Sequence, residues 1–395
     1  MNKNYSLEGL RGVAALIVFI SHAAFGFYPF TQTGKAEHLR SGFDSWIWNH
    51  AVHFTYSGEL AVSIFFVLSG YVLTRKYIKS PDVSLLTQAA AKRYIRLGLP
   101  VFVAVLIGYI LMAFDAVPAT KGVLPQTFVW SVYQRAVSLP TALRDGVYGA
   151  LLFGDAGYDY VLWTIQIEFY GSLMIFAFFA VFGPIRYNGI AALIVSLVLM
   201  KTVPIQGTLL SLFFAGAYLN YDWITNAIKT VAIPMLLVGL FIGGYDSSMP
   251  VYAGVARFAN YLQFGWGIKP YWPLFFVGCG AVLIVASVLA SPALQRALST
   301  SPIAWLGRVS FGMYLVHTFV LASVGAAVFR ILEPHLPYWA SAALSSGLAL
   351  AVALLTAEIF TRFVDLPATR LANSFARSIT VRPCTPDGHL IQSRE

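Results

Sequence analysis

Long apolar runs, interrupted by short polar stretches, dominate the chain from end to end. They fall at 12–30, 58–74, 97–116, 162–183, 188–203, 207–220, 230–244, 272–291, 309–329 and 339–360. A helix rises about 1.5 Å per residue and needs about twenty apolar residues to cross a ~30 Å hydrocarbon core. Each run therefore predicts a membrane-spanning helix, the three between 188 and 244 with the least defined edges. The expected fold is an all-α polytopic membrane helical bundle of about ten transmembrane helices.

The polar stretches between the runs orient this bundle. Arg75, Lys76, Lys79, Lys92, Arg93 and Arg96 form one basic group, and Arg362, Arg370, Arg377, Arg382 and Arg394 form another. With the N-terminus inside, Lys and Arg favour the cytoplasmic side by about two to one, as the positive-inside rule asks. An even number of spans keeps the basic tail inside, so both termini are expected in the cytoplasm. Residues 1–360 are read as one bundle and 361–395 as a basic cytoplasmic tail, in which Pro383, Pro386, Asp387 and Gly388 mark a turn. Lys3, the run from Gly12 to Ile20 and Ser21-His22-Ala23 have the outline of a cleaved secretory signal. Apolar character resumes at Phe25, Phe27 and Phe30 with no polar segment between, so the first run is read as a span.

Composition sharpens the class. Hydrophobic residues make up 58% of the 395 positions and charged residues 11%, with a mean hydropathy of +0.71. A soluble domain carries about 25% charged residues, so this chain cannot wrap a globule in polar surface. Disorder needs low hydrophobicity and high charge and is excluded too. The net charge of +9 sits beside apolar spans, where it sets orientation, and does not point to nucleic acid. Cys279 lies in an apolar run and Cys384 in the tail, which leaves no disulfide framework or cysteine metal site.

Ionisable residues inside spans are costly and are functional candidates for that reason. His22, Glu168 and His317 stand out, with Arg11 at a helix mouth and Glu358 near the end of the last span. Arg11 and His22 are eleven positions apart, which puts them on one helix face about 16 Å apart along the axis. His22 falls about 15 Å deep, Glu168 about 9 Å below the outer surface and His317 about a dozen ångströms from the inner one. These three groups meet only if their helices share an interior. Each can equally serve as a hydrogen-bonding link between packed helices. Arg93 and Arg96 share one face at i and i+3 and read first as positive-inside charges. His50 and His53 lack a third obvious metal ligand, and no metal is expected.

Six segments taken together resemble the membrane-bound acyltransferase 3 family. Leu7-Glu8-Gly9-Leu10-Arg11-Gly12, with ten residues between Arg11 and His22, is similar to the family's opening signature. Phe65-Phe66-Val67-Leu68-Ser69-Gly70-Tyr71 resembles its second-span motif, and Arg93-Tyr94-Ile95-Arg96 with Pro100 resembles its basic pair at the third span. Leu162-Trp163-Thr164-Ile165-Gln166-Ile167-Glu168-Phe169-Tyr170 is similar to the element that leads from a Trp to a Glu and a Tyr. Leu306-Gly307-Arg308-Val309-Ser310-Phe311 runs on to Tyr314, Leu315 and His317, and Val364-Asp365-Leu366-Pro367 stands where a Glu-x-Pro is usual. The six occur in the family's order over residues 1–370 or so.

The resemblance implies transfer of an acyl group, usually acetyl from acetyl-CoA, to carbohydrate of the cell surface or to secreted glycan. It also implies the stand-alone form, without an appended esterase-like domain. Acyl transfer to a hydroxyl needs a base, and histidine suits proton transfer at neutral pH. His22 is the expected general base, and Glu168 or another partner holds the site. Arg11, Arg93 and Arg96 cannot lose charge and suit the phosphates of an acyl-CoA donor at a cytoplasmic mouth. Ser69, Tyr71, Trp163, Gln166 and His317 are further candidates. No permanently bound cofactor is expected. The expected partners are acyl-CoA, a carbohydrate or glycolipid acceptor and the bilayer, in a bacterial inner membrane. A secondary transporter of a polar or sugar-like solute is the alternative, since spans bearing His and Glu suit it equally. No paired broken helices in two related halves support it.

Overall fold

The structure, a computed structural model, describes residues 5–124, 128–266 and 270–379. Lys3, Lys269 and the tail beyond Ile379, with Arg382, Cys384, Arg394 and the expected turn, lie outside the described residues. Among these residues the regular elements are all helical.

The helices that build the core are α1 (Tyr5–Phe27), α2 (Gly58–Lys79), α3 (Val83–Ala91), α4 (Arg93–Ala113), α5 (Trp163–Phe182), α6 (Asn188–Thr202), α7 (Pro204–Tyr218), α8 (Ala232–Gly243), α9 (Trp272–Ala290), α10 (Ser301–Val320), α11 (Tyr338–Phe360) and α12 (Leu366–Ile379). Their ends follow local chemistry. Ser57 caps α2 by accepting from the Leu60 amide at 3.2 Å, and Asp82 caps α3 through the Ser84 amide at 2.8 Å. Pro204 opens α7 at a position where no intrahelical N–H is needed, which allows the tight reversal from α6 at Val203.

Seven helical segments are long and apolar enough to cross a membrane: Tyr5–Phe27, Gly58–Lys79, Val83–Ala113, Tyr160–Phe182, Trp272–Ala290, Ser301–Leu332 and Tyr338–Ile379. The protein is an all-α, multi-pass membrane protein. The runs expected at 188–203, 207–220 and 230–244 form α6, α7 and α8, of 15, 15 and 12 residues. At about 1.5 Å per residue each is shorter than a ~30 Å core. Past residue 360 the chain stays helical, through a π-helical turn at Thr361–Asp365 and on through α12 to Ile379. Ala368, Ala372 and Ala376 are buried along one side of α12, and the Lys92 ammonium at the foot of α4 donates to Asn373 at 3.3 Å.

Close helix approach sets the interior. Without water to drive association, small residues let membrane helices meet backbone to backbone. A Cβ on Gly12 would lie 2.5 Å from the Gly307 nitrogen, and one on Gly307 would lie 2.0 Å from the Glu8 carbonyl oxygen. The same device joins α2 to α7, where a Cβ on Gly216 would fall 1.9 Å from the Val67 oxygen.

Candidate active site

The glycine contact between α1 and α10 fixes a register. His22 follows Gly12 by ten residues, and His317 follows Gly307 by ten. The two helices run in parallel, so matched spacing brings the imidazoles together. His22 Nδ1 lies 2.7 Å from His317 Nε2, and the rings stack with centroids 5.0 Å apart. His317 is buried, and its Nδ1 sits 2.9 Å from the Tyr314 carbonyl oxygen and 3.1 Å from that of Met313. A carbonyl only accepts, so Nδ1 of His317 carries the hydrogen and its Nε2 is the acceptor. His22 must then donate from Nδ1, which leaves Nε2 as its basic nitrogen. This assignment follows from the hydrogen-bond network. Tyr160 packs edge-on against the His22 ring at 5.6 Å.

Two cavities flank the pair. The first, of about 210 Å³, lies where α1 and α4 begin and α2 runs out, and it holds Arg11, Ser69, Arg93, Arg96 and Glu168. Arg93 Nη2 and Ser69 Oγ, the latter at 3.0 Å, both donate to Glu168 Oε1. Arg96 donates to Asp365, in the turn between α11 and α12, and lies over the Phe311 ring. Nε of Arg93 is buried with no partner, and Arg11 makes no ion pair among the described residues. Three arginines against two carboxylates leave the pocket net positive. That is the chemistry of an anion site.

The second cavity, of about 500 Å³, lies at the opposite end of the same helices, within the size range of ligand sites. His22 lines it with Glu59, Asp246, Trp163, Tyr160, Tyr245 and Tyr271. Both cavities reach Val62 and Tyr314. Tyr314 is buried there by its hydroxyl, 2.6 Å from Thr164 Oγ1 and 3.2 Å from the Val161 carbonyl oxygen. One helix, α1, thus puts Arg11 in one cavity and His22 in the other.

Comparison with known proteins identifies the family of the chain. The acyltransferase 3 family, described as an acyltransferase domain, matches residues 4–358. The chain belongs to the acyltransferase 3 family. It is 23% identical to the O-acetyltransferase PaAT-1 of Phomopsis amygdali, over 93% of this chain and 83% of that one. It is 25% identical to the acyltransferase MdmB of Streptomyces mycarofaciens, over 93% and 92%. Against the peptidoglycan O-acetyltransferase OatA of Listeria monocytogenes the identity is 23% over 92% of this chain, which spans 55% of that protein's length. No solved structure matches the chain. Family membership also decides between the two classes left open by intramembrane His and Glu: the protein is an acyltransferase and not a transporter.

The residues singled out in this acyltransferase divide cleanly. Arg11, Ser69, Arg93, Arg96 and Glu168 share the basic pocket, and His22 and Trp163 share the larger chamber with His317 behind. Glu168 is bound to Arg93 and Ser69, and the hydrogen-bond partner of His22 is His317. Five positions separate Trp163 from Glu168 on α5, about 7.5 Å of rise, which takes the carboxylate from one cavity to the other. Tyr71 lies outside both, with Arg75 over its ring and its carbonyl held by Asn220. Gln166 and Tyr170 both donate to the Leu152 carbonyl, at 2.9 and 3.0 Å, and so brace the π-helical segment Asp145–Phe153. His50 bonds the Trp46 carbonyl and His53 the Gly244 carbonyl, each at its Nδ1. Glu358 binds Arg308, Arg362 and Trp305 away from both cavities, which locks α10 to α11. Glu59, Asp246 and Tyr160 also line the chamber and stand in none of the sequence motifs, and Tyr314, named there only within a motif, lies in the walls of both cavities. Glu59 looks like an ordinary acid in the first turn of a helix, where the dipole favours one.

Proposed function

We propose that this protein transfers an acyl group, acetyl as in its O-acetyltransferase relatives, from acyl-CoA to a hydroxyl of a cell-surface or secreted glycan or glycolipid. The observation that carries the reading is a basic pocket and a sugar-sized chamber that share Val62 and Tyr314 in their walls, the chamber lined by a histidine with a free ring nitrogen. CoA phosphates bind Arg11, Arg93 and Arg96, with Glu168 and Asp365 holding two of the guanidiniums in place. The pantetheine arm runs along α1 toward Val62 and Tyr314, about the 16 Å that separates Arg11 from His22.

His22 Nε2 takes the proton of the acceptor hydroxyl as its oxygen attacks the thioester carbonyl. One C–O bond forms, the C–S bond breaks, and the proton passes from His22 to the departing CoA thiolate. His317 supports the step because its Nε2 accepts from His22 Nδ1 and so steadies the imidazolium formed. In the bilayer we place the basic pocket and both termini on the cytoplasmic side of a bacterial inner membrane, with α6, α7 and α8 completing ten spans. The peptidoglycan named for one relative makes cell-wall glycan a natural first acceptor to examine. The test is mass analysis of surface glycans from cells with and without the gene. An acyl increment present only with the gene supports the proposal; identical glycans count against a glycan acceptor.

A further inference from the structure

Charge in the larger chamber narrows the acceptor, given the proposed function above. Its wall carries two carboxylates, Glu59 and Asp246, and among the described residues no lysine or arginine. Glu59 remains exposed in the cavity and has no ion-pair or hydrogen-bond partner among those residues. Asp246 accepts from the amide and hydroxyl of Ser248, both at Oδ1. A second feature also points to a ligand. His53, on the same wall, is only 6% exposed, and its Nε2 has no partner. Its Nδ1 lies 2.9 Å from the Gly244 carbonyl and carries the hydrogen, so Nε2 is an unused acceptor. Burial holds His53 below the usual imidazole range, against the pull of that carbonyl and of Asp246, so it adds no positive charge at neutral pH.

The chamber therefore offers acceptor atoms and negative charge to its ligand. Rings of Trp163, Tyr245 and Tyr271 stand on the same wall, and aromatic faces attract cations as well as the apolar faces of sugars. An anionic acceptor would meet two like charges. A neutral one would displace water from both carboxylates and give them no counter-charge in return. We infer that the chamber selects an acceptor bearing a protonated amine near the hydroxyl to be acylated: an amino sugar or an amine-bearing glycoside, rather than a phosphorylated or uronic acid sugar.

The test uses three glucosides matched in size: 2-(dimethylamino)ethyl, 3-methylbutyl and 2-carboxyethyl. The tertiary amine cannot itself be converted to an amide, so any product is an ester. Binding to the purified protein in nanodiscs is measured first, without donor. The dimethylamino glucoside should bind at least ten-fold more tightly than the 3-methylbutyl glucoside, and the carboxyethyl glucoside should bind most weakly. Glu59→Gln and Asp246→Asn should each shrink that ratio several-fold. Equal affinities, tightest binding of the carboxyethyl compound, or a ratio untouched by both substitutions would overturn the inference. Ester formation is then followed with acetyl-CoA. Transfer without amine preference sinks this inference alone. Amine-selective binding with no thioester consumption leaves the chamber's selectivity standing and sinks the proposed reaction.

Discussion

At the level of single residues, the two histidines have different tasks. His22 lines the chamber and keeps a basic nitrogen, whereas His317 is buried with both nitrogens engaged. His22→Ala should lower kcat by roughly 10²–10⁴-fold, the usual worth of general base catalysis. His317→Ala should lower kcat about 10-fold or more with little change in donor KM, because it removes only the group that fixes the tautomer. His317→Gln should recover part of that loss, since its amide oxygen can accept from His22 Nδ1. Steady-state kinetics at matched protein levels check all three; equal damage from Ala and Gln would contradict the relay. Among the arginines, Arg11→Ala is the cleanest probe of the donor. Arg93→Ala would also strand Glu168, which is only 17% exposed, and so mixes binding with folding. Arg11→Ala should raise the apparent KM for acyl-CoA, at a cost of about 1.5–3 kcal/mol for a charged hydrogen bond, with partial rescue by excess donor.

Helix contacts explain why some of this was readable from sequence and some was not. Arg11, His22, Ser69, Arg93, Arg96 and Glu168 lie in short motifs within single spans, and helical spacing alone puts Arg11 and His22 on one face. The pairings were hidden. His22 meets His317, and Arg96 meets Asp365, across separations of 295 and 269 residues that no local pattern encodes. Glycines supply that missing information. Their role appears only when Gly12 is seen against Gly307, since a glycine in a membrane span has no single reading in sequence. Gly12→Leu or Gly307→Val should force α1 from α10, cost on the order of 1–3 kcal/mol in packing and abolish most transfer without replacing any residue that lines either cavity. Gly347→Ala has open space around its Cβ and should leave transfer near normal. Comparing thermal stability and activity of the three variants in detergent is the check. Normal transfer by the Gly12 or Gly307 variant would show that the register does not matter.

Across the whole molecule, the two cavities make opposite predictions for access. The basic pocket and the 75–96 segment belong to the cytoplasmic face of the proposed topology, and Asp246 with Ser247 to the outer face. In intact cells an impermeant thiol reagent should label a cysteine at Ser247 and spare one at Lys79; the reverse pattern would invert the orientation. In the proposed reaction donor and acceptor meet at His22 in the larger chamber. Reconstituted wild-type protein and the His22→Ala variant, given radiolabelled acetyl-CoA and the dimethylamino glucoside, test it most directly. The wild type should release one CoA per ester formed, and the variant should still bind CoA but form roughly a hundredth of the ester or less. Ester formation by His22→Ala near the wild-type rate would contradict it.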